Sequence, residues 1–162
     1  SDRRGGATRR GERGAAMVEF ALILPLLLLL LLGVVELGYN LYNAQSLRQG
    51  TSTAARNAAV LSNPPGTCAT SAPAGPTRDV VCDVKDRTGL TDAQVAVVVS
   101  EGWTRGAAVV VCSQRQSESL TGFIPFLANT RMTSRTEYRI EREGDDTPVE
   151  FFEPGGDWSW CR

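Results

Sequence analysis

Hydrophobic and polar positions divide the chain into three regimes. From Ala15 to Val35 the sequence is apolar except for one charge, Glu19. At 1.5 Å per residue, these roughly twenty residues span about 30 Å, the thickness of a bilayer's hydrocarbon core. A cleaved secretory signal has a shorter apolar core, about 7 to 15 residues, ending at a small-residue cleavage site. Here the run continues as a helical pattern through Gly33-Val34-Val35-Glu36-Leu37-Gly38, and it reads as a retained transmembrane helix.

Past Val35 the pattern turns amphipathic. Leu37, Leu41, Ala44, Leu47, Thr51, Ala54, Ala55 and Ala58 recur at three- to four-residue intervals, with Asn40, Asn43, Arg48 and Asn57 facing outward. The spacing predicts one helix from Ala15 to about Leu61, roughly 70 Å long. Pro25 removes one backbone hydrogen bond and is either a kink or a tolerated irregularity. Gly50 weakens the helix locally by up to about 1 kcal/mol. Asn63-Pro64-Pro65-Gly66 is the predicted stop, and Glu36 an acid at the far interface.

The third regime is short apolar runs between turn residues. Residues 64–78 are rich in proline, glycine, serine and threonine, and read as a loop. Asp79–Val84, Gln94–Ser100 and Ala107–Cys112 are dominated by valine and predicted as strands. Val97 to Val99 and Val109 to Val111 are continuous, which implies burial on both faces. Glu118–Leu127, with Leu120, Phe123, Ile124 and Leu127 apolar, suits a short helix or turn. Arg131–Glu141 alternates: Met132, Ser134, Thr136, Tyr138 and Ile140 lie on one face, arginines and glutamates on the other, as in a half-exposed strand. The fold class is α+β, a long N-terminal helix packed on a small antiparallel sheet.

Composition narrows the function. The 162 residues divide into a basic leader (1–14), a membrane half of the helix (15–36), an amphipathic half (37–62) and one small exported α+β domain (63–162). A net charge of -1 argues against a nucleic-acid partner. There is no histidine, hence no Ser-His-Asp or Cys-His arrangement and no imidazole metal site. Without a G-x-S-x-G, Walker or dinucleotide motif either, neither an enzyme nor a cofactor is expected. Lys85 is the only lysine.

The flanks orient the helix. Arg3, Arg4, Arg9, Arg10 and Arg13 precede it, so the N-terminus is expected in the cytoplasm and the remainder outside. All four cysteines then lie in the exported part, and an even count there implies two disulfides with three possible pairings. The favoured pairing joins Cys68 to Cys82 across a short loop and Cys112 to Cys161, pinning the tail to a strand. That tail is acidic and aromatic, with Asp145, Asp146, Glu150, Glu153 and Asp157 beside Phe151, Phe152, Trp158 and Trp160. It lacks EF-hand spacing and reads as a solvated acidic face with aromatic anchors rather than a calcium site.

Glu19 is costly inside an apolar segment, less so near an interface, and such acids are usually paired and functional. A basic leader, Gly14, an acid five residues later and an immediate apolar run together resemble the class III signal of type IV pilins. The stretch Gly14-Ala15-Ala16-Met17-Val18-Glu19-Phe20-Ala21-Leu22-Ile23-Leu24-Pro25, with Gly33, Glu36, Gly38 and the small-residue segment Ser52 to Ala59, narrows this to the TadE/TadF-like minor pilins of tight-adherence (Flp) pili. The resemblance implies a pilin fold, cleavage between Gly14 and Ala15 by a prepilin peptidase, and assembly through Glu19, Phe20 and the helix around Pro25. Glu19 would pair with a neighbouring subunit's terminal amine. The implied partners are the membrane, the peptidase, other pilin subunits and the pilus assembly platform. The alternative is an uncleaved, single-pass anchored domain that binds an extracellular partner.

Overall fold

The computed structural model describes residues 8–119, 122 and 130–162, with side chains described from residue 14 onward. A first helix, α1 (Thr8–Ala59), runs unbroken through Pro25 for about 78 Å. It begins upstream of the expected Ala15. It ends in a tightened turn, where Leu61 adopts φ 51° and Asn63 Nδ2 donates to the Ala54 carbonyl at 3.1 Å.

The run Asp79–Val84, expected as a strand, lies inside a second helix, α2 (Pro76–Thr88). Val80, Val81 and Val84 are all buried, and their spacing puts them on one helical face. Local chemistry favours the helix. Pro76 stands in the first turn with Asp79, Lys85 and Arg87 lie in the last, and Gly89 closes the helix in the left-handed region, its N–H donating to the Lys85 carbonyl at 3.0 Å.

Four antiparallel strands follow: β1 (Gln94–Val99), β2 (Ala108–Gln116), β3 (Arg131–Arg139) and β4 (Val149–Phe152), in the order β3-β2-β1-β4. Cys112 stands opposite Ala96 on one side and Arg135 on the other, while Phe152 is opposite Ala96 from the far edge. Val95, Val97, Val99, Val109 and Val111 pack against Ala54, Ala55 and Ala58 of α1 and Val80, Val81 and Val84 of α2. On the other face, Ala96, Val110 and Cys112 are covered by Phe152, Trp158, Trp160 and Cys161. The valine runs are thus fully buried under the helices, while on the tail face Val98 and Val110 are only half-buried, short of the burial expected on both faces. The expected helix or turn over Glu118–Leu127 lies, from Leu120 on, outside the described residues except at Gly122.

Both disulfides act on this plan. Cys68–Cys82 ties the loop after α1 to α2, and Cys112–Cys161 ties the tail to the second strand. With sequence separations of 14 and 49, loop-closure entropy assigns them about 3 and about 4 kcal/mol.

Candidate functional site

The residues expected to govern processing and assembly sit on the bare part of α1. Large apolar side chains from Met17 to Tyr42 are exposed, and no other element covers Gly14, Ala15, Glu19 or Phe20. Pro25 lies mid-way along this rod. The helix is long and apolar enough to cross a membrane, with a mean hydropathy of 2.8 in its most apolar window. Glu19 and Glu36 are seventeen residues apart, about 26 Å along the axis. The structure therefore keeps Glu19, Phe20 and Pro25 well apart from the four cysteines.

Glu36 begins the domain contact. Its side chain is fully buried and accepts a hydrogen bond from Ser119 Oγ, while its carbonyl accepts from Asn40 Nδ2 at 3.0 Å. From here the expected helix phase is reversed. Asn40 and Asn43 are buried, whereas Leu37 and Leu41 are exposed together with Tyr39 and Tyr42. The lower turns of α1 thus turn amide groups toward the domain and apolar groups outward. An outward apolar face is stable where the surroundings are lipid, and tyrosine favours the level of the headgroups. Farther up, the burial becomes conventional, with Leu47, Ala54, Ala55 and Ala58 inside.

Polar contacts hold the domain to the upper helix: Ser46 Oγ donates to the Thr88 carbonyl at 2.9 Å, and Thr51 and Ser113 share a hydroxyl pair. A separate buried network joins α2, the loop after α1 and the end of β4. Lys85 Nζ lies 2.8 Å from Glu153 Oε1 and 3.2 Å from the Ala69 carbonyl. Glu153 also accepts from Thr70 Oγ1 at 2.7 Å and, through Oε2, from the Val95 N–H at 2.9 Å. Neither Lys85, which the sequence marks only as the sole lysine, nor its acidic partner, in a tail expected to be solvated, could be paired from spacing.

At the lower end of the sheet an open cavity of about 420 Å³ is lined by Asp92, Gln94, Gln114, Arg115, Gln116 and Glu118, among others. Arg115 Nε lies 2.6 Å from Asp92 Oδ2. Burial works to lower the Arg115 pKa, but the hydrogen bonds and charges of Asp92 and Tyr39 outweigh it and hold the guanidinium above its ordinary value. Among the described residues no group of three or more Asp, Glu or Cys side chains is placed to hold a metal ion.

Residues 14–56 match the family model of TadE-like proteins. This segment is similar to TadE-like proteins. The TadE-like match opens at Gly14 and closes at Arg56, so it covers the bare rod and most of the helix that carries the domain, and stops before α2 and the sheet. No curated protein and no solved structure matches the chain. TadE-like proteins are structural components of tight-adherence pili rather than enzymes, and with the apolar helix the match supports a membrane-anchored protein.

Proposed function

We propose that the chain is a minor pilin of a tight-adherence pilus, anchored by α1 with its leader in the cytoplasm and its disulfide-stapled domain outside. The observation that carries this reading is that the TadE-like match, over residues 14–56, falls on the only long, bare, apolar helix among the described residues. A prepilin peptidase cuts between Gly14 and Ala15, making Ala15 a cationic terminus and Glu19 the fifth residue. In low dielectric a lone carboxylate is costly, and a neighbouring subunit's terminal amine relieves it. Phe20 and the helix around Pro25 supply packing surface to adjoining pilins and to the assembly platform. Arginines ahead of the helix favour this orientation, as do two disulfides, which persist outside the cytoplasm.

One observation favours the alternative of an uncleaved anchor: α1 is continuous across Gly14, so a peptidase must first unwind that turn. The N-terminal residue of the protein recovered from its native membrane decides between them. Ala15 at the terminus, lost in a Gly14→Ala variant, is expected for a pilin; an intact leader in the wild type refutes processing.

A further inference from the structure

We propose that the cavity at the foot of the domain binds the headgroup of an aminophospholipid, with a primary ammonium group as the recognised feature. This rests on the membrane-anchored reading and adds a ligand to it. Two contacts with α1 place the cavity. Thr51 of α1 meets Ser113, and Glu36 of α1 meets Ser119. The fifteen helical residues between Thr51 and Glu36 descend about 22 Å, and the chain covers that descent from Ser113 through the end of the second strand at Gln116 to Ser119. The second strand and its continuation therefore run down along α1, and residues 115–118 lie at the height of helix residues from the high thirties to the mid forties.

That height is also where α1 is turned inside out, with Leu37, Tyr39, Leu41 and Tyr42 outward and Asn40 and Asn43 inward. Lipid stabilises such an outward apolar face, and the tyrosines mark the headgroup layer, which is about 5 to 8 Å thick on each side of the hydrocarbon. The cavity opens into this layer. Its lining holds two carboxylates, Asp92 and Glu118, around one guanidinium, Arg115, with glutamine amides between them. Arg115 is mostly buried and already paired with Asp92, whose side chain is half exposed. The accessible charge is therefore acidic, and the neutral lining offers amide acceptors and donors alike. Phosphatidylethanolamine fits this: its ammonium donates to Asp92 and Glu118, and its phosphate stays at the mouth, where glutamine amides can donate. The trimethylated headgroup of phosphatidylcholine has no N–H to donate, and that of phosphatidylglycerol has no cation.

The test uses the full chain in nanodiscs made of equal parts phosphatidylethanolamine, phosphatidylcholine and phosphatidylglycerol, released into detergent and weighed with its retained lipids by native mass spectrometry. Phosphatidylethanolamine is expected to be retained about fivefold over the other two, the scale of one partly exposed ion contact. Glu118→Gln and Asp92→Asn should each bring the ratio toward parity, with wild-type tryptophan fluorescence reporting an intact fold. Equal retention of all three lipids by the wild type, or an unchanged preference in both variants, overturns the assignment. Failure of the chain to enter nanodiscs overturns the membrane reading itself, a different outcome from entry without discrimination.

Discussion

Removing one member of the Lys85–Glu153 pair should damage the domain far more than removing a surface ion pair. The two side chains are 9% and 7% exposed. In Glu153→Leu the ammonium keeps only the Ala69 carbonyl, and stranding a buried charge costs about 3–5 kcal/mol. In Lys85→Met the carboxylate keeps the Thr70 hydroxyl and the Val95 N–H, so the loss is nearer one charged hydrogen bond, about 2–3 kcal/mol. The double variant removes both charges and leaves two neutral donors unsatisfied, at about 2–3 kcal/mol. The two single losses together therefore exceed the double by about 2 kcal/mol or more. Urea denaturation of the full chain in non-ionic detergent, followed by tryptophan fluorescence, measures all three values. Amine acylation adds an independent readout, because Lys85 is the only lysine and should stay unlabelled until the domain unfolds. Single variants within about 0.5 kcal/mol of wild type, the worth of an exposed pair, or losses that simply add, would refute the argument.

Two further outcomes follow from local packing and charge. A methyl group at Gly50 would collide with the Thr88 methyl; overpacking of about 1–3 kcal/mol against a helix gain of about 1 kcal/mol leaves Gly50→Ala a net loss of up to about 2 kcal/mol, measured by the same denaturation. Thr88→Ser keeps the hydroxyl and removes the methyl, so in that background the glycine change should cost nothing. Hydrogen bonds from the Ser159 hydroxyl and N–H, and then Arg131, hold the Asp157 carboxyl below its ordinary value of 3.8. A depressed folded pKa means that its contribution is present above that value and is lost as pH falls through the folded one. The tail should therefore loosen in acid, seen as a change in Trp158 and Trp160 emission in a Trp103→Phe background, and Asp157→Asn should abolish that step.

Much of the architecture was legible because it rests on long or repetitive patterns. The helix shows in its apolar run and the three- to four-residue spacing up to Ala58, and the third strand in its alternation of arginine with smaller residues. The second helix was misread because Val80, Val81 and Val84 look like the valine strands farther on. The decisive marks, Pro76 ahead and Gly89 behind, are short-range caps that the valines overshadowed. The fourth strand is four residues, Val149–Phe152, among acidic residues and prolines, too short to show a period. Asn40 and Asn43 were assigned outward on a rule that assumes water outside. Where the outside is lipid, the same periodicity holds with its sign reversed. The cavity and the Lys85–Glu153 network bring together residues distant in sequence, and only the folded sheet makes them neighbours.

The absence of any linker between the bare half of α1 and the half that carries the domain fixes the bearing of that domain. A helix turns 100° per residue. One residue added between Val35 and Asn43 would lift the domain only about 1.5 Å yet swing it by more than a quarter turn about the membrane normal. Length in this stretch thus acts as an angular setting. In the proposed pilin, a neighbour packed against Phe20 or Pro25 would thereby determine which side of the sheet, the arginine edge at Arg131 and Arg135 or the tryptophans of the tail, faces the next molecule.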